Sequence, residues 1–382
     1  MRKIRVLHIA QDDKFVDGPL DAFESDGRFT NRCYIIVDSA DYHFKYIKKT
    51  ERINLLYTKQ MIKDLLRKKD YDAIYFHSLH NYHIFKFIPR DKIVIWWTWG
   101  YDIYGEERFL NIPLYKPLTQ QYLRTLNSSP IVRLKQLIKK IPYVIDIRDG
   151  SRKRALKRID YFQPVIHNEY LMMKELKGFK AVEFYYPKAH QSYQVLIEGR
   201  MTNHNSDIIV GNSASVTNNH IDVWDKVHSF IPRGVNVIFP INYGDGDYAG
   251  YISDNIKSDT VNVRFLKEFL PKNEYFDLVD NCGYAVFGVI RQQAMGNIFR
   301  CLAKGVKLFL YRDSVPYKYL ASLGCIIFAI EDIDENSFKL PLTPEQARHN
   351  QLCLMKDVSI VNQARENAIE EIQRSLGIET MD

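Results

Sequence analysis

The chain has 382 residues, 46% of them hydrophobic, with a formal net charge of +7. This balance is typical of a folded protein and excludes wholesale disorder, while the length exceeds what one hydrophobic core usually organises. No run approaches the roughly 18–20 apolar residues of a membrane-spanning helix, and the start of the chain favours a strand over a signal peptide. Five scattered cysteines, without a Cys-x-x-Cys pair, indicate reduced thiols in the cytoplasm. We therefore expect a cytoplasmic protein with two cores and a cleft between them.

Short β-branched strands alternate with helical patterns along the first half, which predicts successive βα units and a parallel sheet. The predicted strands are Ile4–Ala10, Cys33–Val37, Ala73–His77, Ile93–Trp97, Tyr161–Ile166 and Ala181–Tyr186, and the predicted helices are Lys59–Lys69 and Glu169–Leu176. Residues 188–205 are polar with few apolar anchors, and we place the domain boundary there. The first domain is therefore predicted to span residues 1–190.

The alternation resumes after this boundary and predicts a second doubly wound domain over residues 206–342. Its predicted strands are Ile208–Val210, Asn236–Phe239, Tyr284–Val289, Lys307–Tyr311 and Cys325–Ala329. Its predicted helices are Ile221–Phe230, Tyr251–Lys257, Glu274–Asn281, Asn297–Lys304 and Pro316–Leu323. A capping box at Thr343 opens the tail, residues 343–382, for which two helices are predicted.

Two loops of the second domain lie where open α/β sheets bind ligands, between the end of a strand and the start of a helix. They carry Gly211-Asn212-Ser213 and Arg291-Gln292-Gln293. Backbone amides at such turns are expected to be unpaired and the helix dipole is positive there, so a diphosphate is a natural ligand. Arg291 is the first choice for bidentate bonds to phosphate. A capped turn and an ordinary surface arginine are the alternatives.

Two groups of residues contain metal-ligand residue types, but neither has the arrangement expected of a metal site. The first is made of acidic pairs, Asp245 with Asp247 and Asp332 with Asp334, and the first of these pairs lies in a turn-forming Gly/Asp cluster. The second is His77, His80 and His83, whose spacing would need a continuous helix where a strand end enters a turn. We therefore expect neither a metal nor a cofactor.

Other polar residues of the first domain follow its strands. His77 ends a predicted strand and is a candidate general base or an ordinary loop histidine. Asp102 follows the next strand and is a candidate base or a helix cap. Three tryptophans, Trp96, Trp97 and Trp99, precede it and offer flat faces to a sugar ring or belong to the core.

Positive charge is concentrated between Arg124 and Arg158, a segment that contains eleven lysines and arginines but only two aspartates. Apolar residues alternate with cations over residues 131–141, a pattern typical of an interfacial helix on anionic lipid. A solvated basic helix is the alternative. Nucleic-acid binding is a rival from a different class, but the chain has no RNP, KH or helix-turn-helix pattern, so we expect no nucleic acid.

These residues resemble the N-acetylfucosaminyltransferase family of enterobacterial common antigen assembly, which transfers 4-acetamido-4,6-dideoxygalactose from its dTDP form to a lipid-linked disaccharide. The similar blocks keep the family's order from about residue 73 to about residue 317. They are Phe76-His77, Trp99 to Tyr104, Val210 to Ser213, Asn219-His220, and Arg291 to Gln293 with Gly296. The segment of residues 127–154 is longer and more basic than expected for the family. The beginning of the chain shows little sequence that matches the family.

The resemblance implies the GT-B architecture, in which two Rossmann-like domains face a cleft and the second holds a nucleotide diphosphate sugar. The donor-binding candidates are Gly211, Asn212, Ser213, Asn219, Tyr243, Arg291, Gln292, Gln293 and Asn297. His77 and Asp102 are the candidates beside the acceptor hydroxyl, and no metal is expected. The other expected partners are an undecaprenyl-type lipid-linked acceptor and, through residues 124–158, the anionic inner face of the plasma membrane.

Several alternatives stay open at this stage. A transferase of the same fold could use a GDP- or UDP-sugar for capsule or O-antigen assembly. A binding protein without catalysis would show the same motifs. The sequence leaves open the sugar, the acceptor, the oligomeric state and whether the anomeric centre is inverted.

Overall fold

The computed structural model describes residues 2–105, 108–126, 138, 140–141, 144–186 and 205–378. The chain divides into two compact units, one made of residues 1–111, 138–189 and 360–382, the other of residues 112–137 and 190–359. Residues 188–204 of the polar stretch that we predicted to separate the domains lie outside the described residues, as do residues 131–137 of the apolar and basic pattern.

Each unit is built on its own parallel sheet. The first has β1 (Ile4–Ala10), β2 (Phe29–Ile36), β3 (Ile53–Leu56), β4 (Ala73–His77), β5 (Ile93–Trp97), β6 (Tyr161–Gln163) and β7 (Val182–Glu183), in the order β3-β2-β1-β4-β5-β6-β7. The second has β8 (Ile208–Val210), β9 (Asn236–Pro240), β10 (Asn262–Leu266), β11 (Tyr284–Phe287), β12 (Lys307–Leu310) and β13 (Phe328–Ala329), in the order β10-β9-β8-β11-β12-β13. The predicted α/β fold with two doubly wound sheets is confirmed.

The α-helices with assigned bounds connect or follow these strands. In chain order they are α1 (Asp17–Ser25), α2 (Lys59–Leu66), α3 (Pro117–Leu126), α4 (Ser151–Arg158), α5 (His167–Lys174), α6 (His220–Val227), α7 (Gly246–Asn255), α8 (Lys272–Asn281), α9 (Met295–Lys304), α10 (Val315–Ser322) and α11 (Pro344–Ser375). Within the described ranges, no helix is both long enough and apolar enough to cross a membrane.

The C-terminal helix completes the core of the first unit. Ala368, Ile369 and Ile372 of α11 are buried in one cluster with Ile4 of β1 and Phe29 of β2. The tail is one helix of 32 residues where two were predicted. Neither glycine nor proline interrupts it between residue 345 and residue 375, so nothing in its sequence forces a break.

The elements that sequence missed are mostly half-exposed. Strands β3 and β10 form the edges of the two sheets, and the exposure of edge strands removes the continuous apolar run that marks a buried strand. Helix α3 belongs with the second unit, although we predicted residues 1–190 as one domain. Asp222 of α6 accounts for this placement, because its carboxylate accepts hydrogen bonds from Leu118 N and Thr119 N at 2.8 and 2.9 Å.

Candidate functional site

Most candidate residues follow the strands at which each sheet changes winding direction, whereas Tyr243 follows β9 and Asp102 follows β5. In the second sheet β8 pairs with β11, so the loops that begin at Gly211 and Gly288 are neighbours. In the first sheet β1 pairs with β4, which ends at His77. Open parallel sheets bind ligands at such switch points, beyond the carboxyl ends of the strands. Both groups therefore lie at the ligand-binding edge of their own sheet.

Three predicted donor residues line one pocket of about 190 Å³ in the second unit: Asn212, Tyr243 and Asn297. The Asn212 amide donates to the Tyr243 hydroxyl at 2.8 Å. Its Oδ1 atom is buried and has no hydrogen-bond partner among the described residues. Asn297 donates to the Tyr275 hydroxyl at 2.9 Å on the far wall. A buried acceptor without a hydrogen-bond partner lowers the stability of the fold. A ligand that donates a hydrogen bond to Asn212 Oδ1 would remove this cost.

The other residues of this pocket were not predicted from the sequence. Its remaining lining includes Glu268, Phe269, Lys272 and Tyr275, which follow β10 or begin α8. The Phe269 ring is 73% exposed and stacks on Tyr243 with a centroid separation of 6.1 Å. The alternation of Val263 and Phe265 with polar residues was the available signal for this strand and its loop.

The loop after β8 is tightly bonded within the protein. The amide of Gly211 donates to Val286 O at 2.9 Å, and that of Ala214 donates to Tyr243 O at 2.7 Å. Ser213 is buried, and its hydroxyl accepts from the Asn218 side chain at 3.2 Å. The amides of Gly211 and Ala214 are therefore paired, whereas we predicted unpaired amides in this loop. Ser213 and Gly211 shape the loop but do not line the pocket.

Asn219 is fully buried and bonded to backbone. Its side-chain amide donates to Gly288 O at 2.7 Å and its Oδ1 accepts from Lys116 N at 2.8 Å. The residue has a φ of +50° and immediately precedes the first residue of α6. The structure thus gives Asn219 a positioning role between β11 and the segment before α3, in place of the direct donor contact that we predicted.

Side chains of the loop after β11 form hydrogen bonds within the protein. The Arg291 guanidinium donates to Gln292 O at 2.9 Å, and Gln293 accepts from the Thr217 hydroxyl at 2.6 Å. Gln292 is buried, and its Oε1 has no partner within the described ranges. None of the three residues lines the 190 Å³ pocket. The Thr217 bond nevertheless ties this loop to the turn that follows β8.

His77 is paired with a second buried histidine in the first unit. His77 Nε2 lies 3.0 Å from His8 Nδ1, and His8 Nε2 lies 3.0 Å from Asn31 Oδ1. Because Oδ1 can only accept, His8 carries its proton on Nε2, and His77 must then donate from Nε2. This tautomer leaves a lone pair on His77 Nδ1, which has no partner among the described residues. Burial and the neighbouring His8 hold the pKa of His77 well below its usual value, so the ring is neutral.

Asp102 is fully buried and all its acceptor positions are used. Its Oδ2 accepts from Leu79 N at 3.0 Å and Trp96 Nε1 at 2.8 Å. Its Oδ1 accepts from Thr98 Oγ1 at 2.7 Å and Trp99 N at 3.0 Å. Four donors fill the capacity of a carboxylate. Asp102 thus fixes the loop after β5 and presents no free oxygen, which differs from the role of acceptor base that we predicted.

The predicted tryptophans divide between the core and the sheet edge. Trp96 is completely buried, whereas Trp97 is half-buried and packs edge-on against Trp99 at 5.6 Å. Trp99 Nε1 is buried and has no hydrogen-bond partner among the described residues. The exposed ring of Phe15 packs edge-on against the ring of Trp99, with the ring centroids 5.8 Å apart.

The three histidines considered as a metal group are separately engaged. His80 lies 3.0 Å from Ser78 Oγ, and His83 pairs with Asp146 at 2.9 Å and Asp149 at 3.1 Å. Those last three residues form the one cluster within the described ranges with metal-ligand spacing. Of the Asp pairs, Asp245 caps α7 by accepting from Tyr248 N at 3.0 Å, and Asp332 pairs with Arg312.

The fold of the whole chain is similar to that of known glycosyltransferases. An alpha-glucosyltransferase in complex with UDP is 9% identical and matches with a TM-score of 0.54, over 97% of this chain and 100% of the other. The alpha,alpha-trehalose 6-phosphate synthase of Burkholderia multivorans is 10% identical with a TM-score of 0.57, over 98% of both chains. A structure described as trehalose-6-phosphate from E. coli bound with UDP-2-fluoro glucose is 10% identical with a TM-score of 0.57, over 97% and 99%. The architecture is GT-B.

A family model narrows the class. Residues 150–347, slightly more than half of the 382 residues, match the model for glycosyl transferase group 56, described as 4-alpha-L-fucosyltransferase. The chain belongs to this family and is a glycosyltransferase.

Proposed function

We propose that this glycosyltransferase moves a fucose-type or amino-deoxy sugar from a dTDP-linked donor to a lipid-linked saccharide in the assembly of a bacterial surface polysaccharide. The observation that carries the proposal is the pocket formed by Asn212, Tyr243 and Asn297 at the carboxyl edge of the second sheet. The complexes of similar fold with UDP and with UDP-2-fluoro glucose support a nucleotide-linked donor.

The nucleobase is proposed to enter beside Phe269. Its exposed ring and that of Tyr243 offer a stacking surface, and base–aromatic stacking contributes about 1–3 kcal/mol. A pyrimidine imide N–H would satisfy the buried Oδ1 of Asn212. Leu266 and Leu270, which also line the pocket, are apolar partners for a thymine methyl group. This combination favours thymine over uracil.

The diphosphate is proposed to lie near the start of α9. Asn297 is in the first turn of that helix, where the dipole favours anions, and Lys272 lines the same pocket. Arg291 would reach the phosphate by exchanging its bond to the Gln292 carbonyl for a charge-assisted one.

On the acceptor side, His77 is proposed as the base. The chain Asn31–His8–His77 holds it in one tautomer with an unshared pair on Nδ1, and this atom would accept the proton of the acceptor hydroxyl. Asp102 is proposed as a positioning residue, since it fixes the loop that carries Trp99. We further propose transfer without a metal and a cytoplasmic enzyme that associates with the membrane surface through residues 124–158.

A thermal-shift panel of dTDP, UDP and GDP tests the donor. A ligand that binds only the folded state raises the melting temperature, so dTDP at equal concentration should give the largest shift. A larger shift with UDP or GDP would change the proposed nucleotide. No shift with any of the three would contradict the donor pocket itself.

A further inference from the structure

A groove of about 390 Å³ opens on the first unit between α4 and the turn that follows α5. Its walls are the side chains of Phe109, Ile147, Leu156 and Leu176. An apolar cavity of about 150 Å³ already accommodates benzene, so this groove has room for a chain of several carbon groups. The side chains of these four wall residues carry no hydrogen-bonding group, which favours a hydrocarbon chain as the occupant.

The other residues that line the groove are all cations: Arg152, Lys153 and Lys177. Arg152 is committed within the protein, since it donates to the Arg108 carbonyl and lies 4.3 Å from the Phe109 ring centroid. No ion pair of Lys153 or Lys177 is found in the part of the chain that the structure describes. Two ammonium groups beside an apolar groove match the charge of one anionic head group.

An exposed apolar row lies along the chain up to Ile147 of the groove wall. Ile138, Ile141, Val144, Ile145 and Ile147 are each 42–54% exposed. Branched aliphatic residues grouped on a surface usually mark an interaction site. Ile147 belongs both to this row and to the groove wall, so a chain in the groove would leave it over apolar surface.

We propose that the groove binds the hydrocarbon chain of a phosphate-headed lipid, with the phosphate held by Lys153 and Lys177. The inference rests on the proposed function, which supplies such a ligand as the lipid-linked acceptor. It assigns the lipid part of that acceptor to residues that neither the donor pocket nor His77 includes.

Calorimetric titration of the 382-residue protein with farnesyl phosphate, below the concentration at which it forms micelles, tests the site. Farnesol supplies the chain alone and inorganic phosphate the head group alone. We expect saturable binding of farnesyl phosphate, weaker binding of farnesol and none of inorganic phosphate. Equal affinity for inorganic phosphate, or no binding of farnesyl phosphate, would overturn the assignment.

Exposed residues provide the variants, so folding should be retained. Ile147→Glu and the double variant Lys153→Glu with Lys177→Glu should each weaken farnesyl phosphate binding at least tenfold. The matched controls are Ile360→Glu, which replaces another exposed helical isoleucine, and Lys68→Glu, which replaces an exposed lysine elsewhere in the first unit. Equal losses in variants and controls would overturn the groove.

The dTDP thermal shift of the same proteins separates this inference from the proposed function. A normal dTDP shift without farnesyl phosphate binding would remove the groove and leave the donor pocket. Loss of the dTDP shift in the unchanged protein would count against the donor pocket, whatever binds in the groove.

Discussion

His220 Nε2 lies under the Cα atom of Gly211, in the space that a side chain at residue 211 would occupy. A β-carbon there would be 2.5 Å from Nε2, and the φ of Gly211 is +69°. The His220 ring is fully buried, and burial lowers its pKa to about 3, so it is neutral. The first helical residue of α6 thus determines which residue can begin the loop after β8.

We predict that Gly211→Ala destabilises the protein by about 2–4 kcal/mol, because it combines a left-handed φ with a steric overlap. Urea denaturation would measure the change. Gly246→Ala is the control, since nothing lies within 4 Å of a β-carbon at that residue. Combining Gly211→Ala with His220→Ala should recover part of the loss by removing the overlap. Equal stability of Gly211→Ala and Gly246→Ala would contradict this account.

Asn212→Ala should weaken dTDP binding about tenfold. It removes the buried acceptor and the bond to Tyr243, and one hydrogen bond contributes about 1 kcal/mol or slightly more. Isothermal titration with dTDP would measure the affinity. Asn255→Ala, which replaces an exposed helical asparagine, should bind as tightly as the unchanged protein. Unaltered affinity in Asn212→Ala would place the base elsewhere.

The sequence predicted the sheets more fully than the site. Buried strands such as β4 and β11 give continuous apolar runs, and the loops at their carboxyl ends then follow from the general geometry of parallel sheets. Asn212 was predicted on that basis, and it lines one pocket with Tyr243. Phe269 was not, because it follows an edge strand whose half-exposed pattern gave no strand prediction.

The roles of buried polar residues could not be predicted in this way. Asn219 and Asp102 have the residue types of binding or catalytic groups, but each is bonded within the protein, in part to residues distant in sequence. Asn219 is bonded to Gly288 O, 69 residues away, and Asp102 to Leu79 N, 23 residues away. Only three-dimensional contacts distinguish a carboxylate that binds backbone from one that faces a substrate.

Asp102→Asn should reduce the stability of the protein by about 2–4 kcal/mol. An amide nitrogen cannot accept the two donors that one carboxylate oxygen now binds, so buried donors lose their partner. Thermal and urea unfolding would measure the effect against Asp41→Asn, an exposed control. Full stability together with lost turnover would instead support the role of acceptor base.

His77→Gln should lower turnover about 100-fold or more while dTDP affinity stays unchanged, since general bases typically contribute 10²–10⁴-fold. The assay would use a dTDP-linked sugar and a lipid-linked acceptor, with thermal unfolding as a check on folding. His43→Gln replaces a histidine outside the His8–His77 pair and should keep full activity. Retained turnover in His77→Gln would show that His77 is not the general base and that the histidine pair has a structural role.

Glu169 should make the stability of the protein depend on pH. The residue is fully buried, and burial raises the pKa of its carboxyl to about 7, although Val165 N and Ile166 N donate to it. A raised pKa means that the carboxyl stabilises the fold fully below pH ~4.5 and that this contribution is lost as the pH rises to about 7.

Glu169→Gln removes the titration but keeps an acceptor oxygen. Relative to the unchanged protein, the variant should therefore gain about 2–3 kcal/mol of unfolding free energy between pH 5 and pH 8, measured by urea denaturation. Glu175→Gln, at an exposed carboxyl just beyond the same helix, should show no such gain. A pH-independent difference in Glu169→Gln would mean that Glu169 ionises normally in the folded protein.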